Sequence, residues 1–400
     1  MTKGFVWIQN MKSFIYMIGM GVLCFALGNS GFGQTTNSNI GPGVPPFTVR
    51  PGFKVSLVAE NIGQVRFIEF GEKGILYVSQ PASGTIITLR EHDGVWSKLA
   101  DFVTNKPTVH GLCYFDGWLW FTQSGAVWKA RDTNGDGRAD EVVKIADALP
   151  SGGGHWWRSI LVTPTAFYTS IGDSGNLTDE TATERQKIWK FSLDGTNKTL
   201  FASGIRNTEK LRLRPGTAEI WGCDHGSDNY GKLLGETPGN QPFTDHIPPD
   251  EFNYYQEGGF YGHPFIVGDG LPRLEFKGRS NFVELASSAI SPAWLFGAHW
   301  APNGWNFMQS DALGFRGDAI IACHGSWNST KLVGYRIERV IFDPLTGRPT
   351  GRQKLVGLVV ELVGGKDQVL GRPCDIVEAP DGSIYFSDDF KGRIYRISKL

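Results

Sequence analysis

Ser159-Ile160-Leu161-Val162-Thr163, Ala166-Phe167-Tyr168-Thr169-Ser170-Ile171, Lys187-Ile188-Trp189-Lys190-Phe191 and Thr199-Leu200-Phe201-Ala202 are four short apolar runs separated by turns. Each is rich in β-branched and aromatic residues and too short for a helix, so each reads as a strand. The pattern recurs. Upstream it appears at Phe67–Phe70, Ile75–Val78 and Thr85–Leu89, and again at Leu112–Phe115, Leu119–Thr122 and Ala126–Ala130. Downstream, Lys210–Arg214 and Glu219–Gly222 begin a copy that a long excursion over 227–265 interrupts. Two more follow: Trp305–Met308, Ala319–Cys323 and Leu332–Ile337, then Ile376–Ala379, Ser383–Ser387 and Arg393–Ile397. Six units of roughly 45 to 60 residues predict an all-β, six-bladed β-propeller of four-stranded antiparallel blades over 51–400. One meander leaves both faces bare; a radial array buries them, which explains the aromatic strands. A large β-sandwich is the alternative, and the six-fold count disfavours it.

Composition agrees. The chain has 52 Gly, 13 Trp and 26 Phe, and no long stretch repeats at helical spacing. The formal net charge of −1 provides no field for nucleic acid or an anionic membrane. Lys3 and Lys12 flank the start of an apolar run from Phe14 to Leu27, and small residues follow. Residues 1–33 therefore read as a secretory signal with a cut after Gly33, too short for a membrane span. The expected product is secreted or periplasmic, with no span after signal removal. Residues 34–50, rich in Gly, Pro, Ser, Thr and Asn, read as a flexible linker. Cys113, Cys223, Cys323 and Cys374 remain after cleavage, and three pairings are open.

In a meander the first strand leaves one mouth of the ring and the second returns to it. Residues just before each first strand and just after each second strand then share that mouth. The rule collects Arg66 and Gln80; His110 and Gln123; His155 and Asp173; Arg206, Asn207, Asp224 and His225; His299 and His324; and Arg372, Asp375, Asp388 and Asp389. Five of the eight histidines fall there, which marks the mouth as the expected active site.

Within it, Gly152-Gly153-Gly154-His155-Trp156-Trp157 sets an imidazole between glycines and aromatics, where its neutral form accepts a proton; Asp173 is positioned to orient it. The bland reading is a histidine bonded to a loop carbonyl. His225-Gly226-Ser227 presents carbonyls at a tight turn, suited to calcium, or is a plain turn. Glu251 and the Tyr261 carbonyl make a second cation site, or Glu251 pairs with a nearby base. Asp132–Asp140 has the oxygens of an EF-hand loop at the first, third and fifth positions, but Val143 stands where its closing Glu belongs; a solvated acidic turn fits equally. His324-Gly325-Ser326-Trp327 offers a donor and a stacking face to a planar ligand, or an aromatic plug. Arg66, Arg206 and Arg372 bring three cations to one mouth, for an anionic ligand or for the aspartates around them, Arg372 with Asp375 or Asp389 above all.

Those motifs, with Ile171-Gly172-Asp173, Gly204-Ile205-Arg206-Asn207, Pro249-Asp250-Glu251-Phe252-Asn253, Ala298-His299-Trp300-Ala301-Pro302 and Gly371-Arg372-Pro373, follow in an order that resembles the soluble pyrroloquinoline-quinone (PQQ)-dependent sugar dehydrogenases. The sorbosone and pyranose dehydrogenase branch is nearest, soluble glucose dehydrogenase more distant. The resemblance implies PQQ lying over the propeller axis. It implies catalysis by His155 as base, Asp173 as helper and Arg206 beside the reacting carbonyl. Arg66, His110, Asn207, His324 and Arg372 would hold the cofactor. Calcium would be held by Gly226 and Ser227, with a second at Glu251 and Tyr261. A sugar substrate and an external electron acceptor are the implied partners. Glu209, Cys374 and His324 depart from the glucose enzyme, and a carboxylate at Glu209 repels an anionic quinone unless Lys210 or the metal offsets it. Two rivals stand beside this reading. One is a lactonase or oxygenase with a metal on His110, His155, His225, His299 and His324. The other is a non-catalytic sugar-binding propeller.

Overall fold

The computed structural model describes residues 39–361 and 367–400. It is a six-bladed β-propeller of antiparallel blades with four strands each. Blade 1 spans Ile68–Val103, blade 2 Leu112–Ala146 and blade 3 Leu161–Ser203. Blade 4 joins Leu211–Leu213, Ile220–Asp224, Glu251–Tyr255 and Trp294–Leu295. Blade 5 spans Pro302–Gly357. Blade 6 takes three strands from Pro373–Lys399 and a fourth, Phe53–Ala59, from the other end of the chain.

The second strand of most blades is buried along its whole length: Leu76–Gln80, Phe167–Ile171, Ile220–Asp224, Ala319–Cys323 and Ile384–Asp388. Such a strand has a neighbouring blade on each face, so both sets of alternating side chains leave water. The buried apolar residues fall into six clusters, one at each blade junction. Blades 4 and 5, for example, meet through Trp221, Phe252, Trp305, Phe307 and Phe342.

The ring closes non-covalently. Phe53–Ala59 pairs antiparallel with Arg393–Lys399, from Phe53 opposite Lys399 to Ala59 opposite Ile394. The signal expected over 1–33 lies outside the described residues. The linker expected over 34–50 is corrected where it is described. Gly41 N donates to Val55 O at 2.8 Å, Thr48–Val49 adds a strand to blade 5, and Phe47 is buried against Tyr395. Apolar Phe47 and Val49 cap the junction of blades 5 and 6, so this segment is packed rather than free.

The excursion from blade 4 carries a 3-10 turn, Tyr230–Leu234, and a short α-helix, Phe282–Ser288. Among the described residues no helix is long and apolar enough to cross a membrane. Cys113, Cys223, Cys323 and Cys374 are buried free thiols. The acidic loop Asp132–Asp140 is closed on itself: Asp132 accepts from the N–H groups of Asn134, Gly135 and Gly137.

Candidate active site

A cavity of about 450 Å³ opens where the predicted mouth lies. Arg66, His155, Arg206, Asn207, His225, His299, His324 and Arg372 all line it. A larger cavity, about 710 Å³, opens at the opposite end of the axis. It has no histidine, and its Arg212 is already paired with Glu69 at 2.6 Å, so the smaller cavity is the chemical one.

His155 follows the three glycines and leads into blade 3. Its N–H donates to Asp173 O at 3.3 Å, and Nδ1 lies 2.9 Å from the same oxygen. A carbonyl only accepts, so Nδ1 carries the proton and Nε2 the lone pair. Burial, then the charge of Arg206, pushes the His155 pKa down to about 3. The ring is therefore a neutral acceptor at neutral pH. Gly172 permits this packing: a Cβ there would sit 2.6 Å from Arg206 O and 2.9 Å from His155 Cβ. Arg158, fully buried, holds the loop from beneath, donating to the carbonyls of His155, Trp157 and Pro150 at 2.7 to 2.9 Å.

Asp173 works through a different atom from the one expected. Its carboxylate turns away from His155 and accepts from His263 Nε2 at 2.7 Å, Gly175 N at 2.6 Å and Thr178 N at 3.0 Å. Burial pushes its carboxyl up, but His263 and these N–H groups outweigh that and hold it well below the usual carboxylate range. The orienting group for His155 is the Asp173 carbonyl.

The cations also differ from expectation. Arg66 donates to Asp389 at 2.6 Å and Glu209 at 2.8 Å, with its guanidinium 4.1 Å from the Trp157 ring centroid. Its charge is committed within the wall. Arg206 donates to Asn176 O, Asn176 Oδ1 and Asp228 Oδ2 at 2.9 to 3.1 Å. Arg372 pairs with neither Asp375 nor Asp389. It donates to the carbonyls of His324 and Gly325 at 3.3 and 3.1 Å, and no ion pair forms on it among the described residues. Asp389 is taken by Arg66 and His324, and Asp375 by Lys210 at 2.6 Å. The offset for Glu209 thus comes from Arg66, not Lys210. Burial raises the Glu209 carboxyl, but Arg66 and His110 outweigh it and hold it well below its ordinary value.

His110 is removed from the contact set. It is fully buried behind Glu209, 3.3 Å from its Oε2, with Nδ1 on Arg158 O. Phe67 and Trp157 pack on the ring. His324 does reach the cavity, with Nε2 2.9 Å from Asp389. Burial lowers its pKa and Asp389 stays ionised, so the pair is a neutral imidazole donating to a carboxylate. Asn207 Nδ2 bridges Glu209 Oε1 and His225 Nδ1 at 3.1 and 3.0 Å. Its N–H and that of Arg206 both donate to Asp224, which fixes the turn carrying them.

Two acids were undervalued in the sequence. Asp250 lines the cavity and pins two loops, accepting from Gly226 N and Ala301 N, each at 2.7 Å. Burial raises its pKa. Asp228 joins Arg206 to His299 Nδ1, at 3.1 and 3.6 Å. Asp250 sits within a motif quoted above and Asp228 directly follows one; their roles depend on loop paths that no local pattern marks. Of the expected metal positions, Gly226 lines the cavity, while Ser227 is buried beside it with Oγ lacking a partner. A Cβ on Gly226 would meet Pro249 O at 2.8 Å, so backbone approaches backbone there. Glu251 accepts from Asn253 Nδ2 and Gly268 N, and burial with nearby Asp224 raises its pKa to about 8. Tyr261 is buried, its hydroxyl donating to Tyr254 O at 2.6 Å. Among the described residues no three His, Cys, Asp or Glu side chains converge as a metal cluster, as the rival metalloenzyme would need.

Comparison with known proteins gives a family and a fold. A model of the TrAA12-like family matches residues 47–268 and 278–400. The pyranose dehydrogenase PQQ domain from Coprinopsis cinerea, in its holo form, superposes with a TM-score of 0.76 at 19% identity over 90% of this chain and 100% of that one. The Trichoderma reesei family AA12 protein gives 0.76 at 19% identity over 90% and 98%. Soluble aldose sugar dehydrogenase from Escherichia coli gives 0.62 at 15% identity over 87% and 100%. At such identities these likenesses carry the fold. An uncharacterized protein of Borreliella burgdorferi is 32% identical over 213 residues, so the chain spans about half the length of this curated relative. Matched over both long segments from residue 47 to the last, the chain belongs to the TrAA12-like family.

Proposed function

We propose that the chain is a quinoprotein sugar dehydrogenase that oxidises an aldose or related sugar, with His155 as base. The observation that carries this reading is the state of His155: neutral, with Nδ1 tied to the Asp173 carbonyl and Nε2 left to accept a proton at the wall of a polar cavity. Membership of the TrAA12-like family supports it.

The residues fit PQQ and calcium. Each cavity acid except Asp250 has a counter-charge in the wall, leaving Arg372 bonded only to carbonyls and free to pair with a carboxylate. Asn207 and His324 would complete the polar contacts, and Arg66 would serve the cofactor by offsetting the Glu209 and Asp389 carboxylates of the wall. The Gly226 turn would hold calcium with backbone oxygens, and the unpartnered Ser227 Oγ beside it marks a polar group awaiting a partner. A second cation would suit Glu251 with the Tyr261 carbonyl, where Asn253 Oδ1 is also buried without a partner. When bound, PQQ supplies a carbonyl carbon that takes up hydride and calcium a Lewis acid that polarises it.

The chain's own part is to receive the proton. His155 Nε2 takes it from the sugar hydroxyl as the C–H bond breaks, leaving a lactone. The Asp173 carbonyl steadies the resulting imidazolium, and Arg206 supplies positive charge where negative charge develops. The electrons leave to an external acceptor. Export by the 1–33 segment to the periplasm or medium belongs to the same reading.

The test is reconstitution. Purified protein given PQQ and calcium should reduce a dye with aldoses; failure to bind or bleach the quinone removes the proposal. His155→Ala should abolish turnover and spare quinone binding.

A further inference from the structure

Beside the mouth lies another cavity, of about 300 Å³, walled by Asn229, Thr237, Gln241, Thr244 and Asn328 among others. Asn229 lines both cavities. Two hydrogen bonds hold this shared residue to Asn328 in the side-cavity wall: Asn328 Nδ2 donates to Asn229 Oδ1 at 3.1 Å, and Asn229 N to Asn328 Oδ1 at 3.3 Å. Next along the chain is Trp327, which lines the mouth yet is 76% exposed.

An indole left so bare loses the burial that usually places tryptophan. The loop bearing it is not slack. Tyr335 Oη donates to Ser326 O at 2.6 Å, Ser326 Oγ to Lys331 O at 3.2 Å, and Thr330 N to Asp245 Oδ1 at 2.8 Å. An aromatic face held open by a tied-down loop, at the junction of two polar cavities, is a stacking platform.

The side cavity has the chemistry of a neutral polyol site. Its one carboxylate, Glu236, is already consumed by Thr244 N, Thr244 Oγ1 and Phe243 N. Among the described residues no histidine or arginine lines it; its one cation, Lys232, is solvent-exposed, and the other lining residues apart from Glu236 are uncharged. Gln241 Nε2 is buried there with no hydrogen-bond partner. Amides and hydroxyls match the donors and acceptors of sugar hydroxyls, and the C–H face of a pyranose ring matches an indole. The volume is at the small end of ligand sites, enough for one ring.

We propose that this side cavity is a subsite for a second sugar unit, with Trp327 as the platform between the units. The mouth then acts on the reducing end of an oligosaccharide in preference to a free monosaccharide. This deepens the sugar-dehydrogenase reading and rests on it for the reaction, but not for binding.

The test is calorimetric titration of the full-length protein, without turnover, using glucose, maltotriose and cellotriose. A trisaccharide of one linkage should bind about tenfold more tightly than glucose or better. Thr237→Phe, at an exposed position where folding is not at stake, should fill the cavity and remove that advantage while leaving glucose affinity unchanged. Gln241→Ala should reduce it about tenfold through loss of a hydrogen bond. Equal affinity for glucose and both trisaccharides, no affinity for any, or a preference that survives Thr237→Phe would overturn the proposal. Oxidation is scored separately. A trisaccharide preference with no sugar oxidised sinks the dehydrogenase reading and leaves the subsite standing; oxidation without that preference does the reverse.

Discussion

Asp173 serves two partners through two groups: its carbonyl holds His155 and its carboxylate holds His263. That pairing of His155 with Asp173 was legible, because the meander rule puts the residues flanking two adjacent strands side by side. The atom was not legible. Whether main chain or side chain faces the histidine depends on the turn at 174–178, whose N–H groups draw the carboxylate away. His263 is then a positioning residue. His263→Ala should lower kcat by about tenfold or more with little change in KM, because it loosens the carbonyl that fixes the tautomer. The carboxylate makes a stability prediction with a definite sign. Its folded pKa is depressed, so its contribution is complete above about pH 4 and is lost as pH falls further. Asp173→Asn should therefore cost about 3 kcal/mol in denaturant titrations at about pH 7, and progressively less as pH falls below about 4. For catalysis, His155 stays neutral down to low pH, so kcat/KM should show no acid limb at about pH 6.5, where a free imidazole titrates. Replacing Arg206 with Gln removes a repelling charge, raises the His155 pKa and should move that limb to higher pH.

At the scale of the element, the inner strands were readable because burial on both faces makes them continuous apolar runs. The outer strands are half exposed and carry less signal. One strand was misplaced: Leu332–Ile337 was expected in blade 5, but the strand is Arg336–Phe342. The residues before it form a loop that is open at Leu332 and buried at Gly334 and Tyr335, where Gly334, with φ of 77°, packs against Trp300 and the Tyr335 hydroxyl ties Ser326. A loop that carries apolar residues into packing looks like a strand in sequence. The same principle gives Arg158 its importance. It is a buried cation with no carboxylate partner among the described residues, and its neighbours are three carbonyls of the loop that carries His155. Lysine cannot reproduce that fork. Arg158→Lys should lose about 2 to 4 kcal/mol of stability by thermal or chemical unfolding, and should lower kcat because the loop is no longer clamped. Calcium addresses the excursion in blade 4. If Glu251 and the orphaned Asn253 Oδ1 take a cation, added calcium should raise Tm by several degrees in the native chain and by much less in Glu251→Gln.

For the molecule as a whole, the number of blades could be counted in the sequence, but the closure of the ring could not. Phe53–Ala59 has the alternation of any half-buried strand, and nothing local says that its partner is Arg393–Lys399 at the far end of the chain. The consequence is mechanical. The mouth collects Arg66 ahead of blade 1, His155 ahead of blade 3, Arg206 ahead of blade 4 and Arg372 ahead of blade 6, so its geometry exists only while the ring is shut. Val55 lies in that closing strand. It is fully buried at the junction of blades 5 and 6, and its backbone ties the segment at Asn39–Gly41 to the ring. Val55→Ala removes two methyl groups from a packed core and should cost about 1.5 to 3 kcal/mol. The loss should appear as a single earlier transition, with tryptophan fluorescence and sugar binding falling at the same denaturant concentration. Blades that unfolded independently would instead give binding lost well before fluorescence, because one open junction displaces the cavity walls while the remaining sheets stay packed.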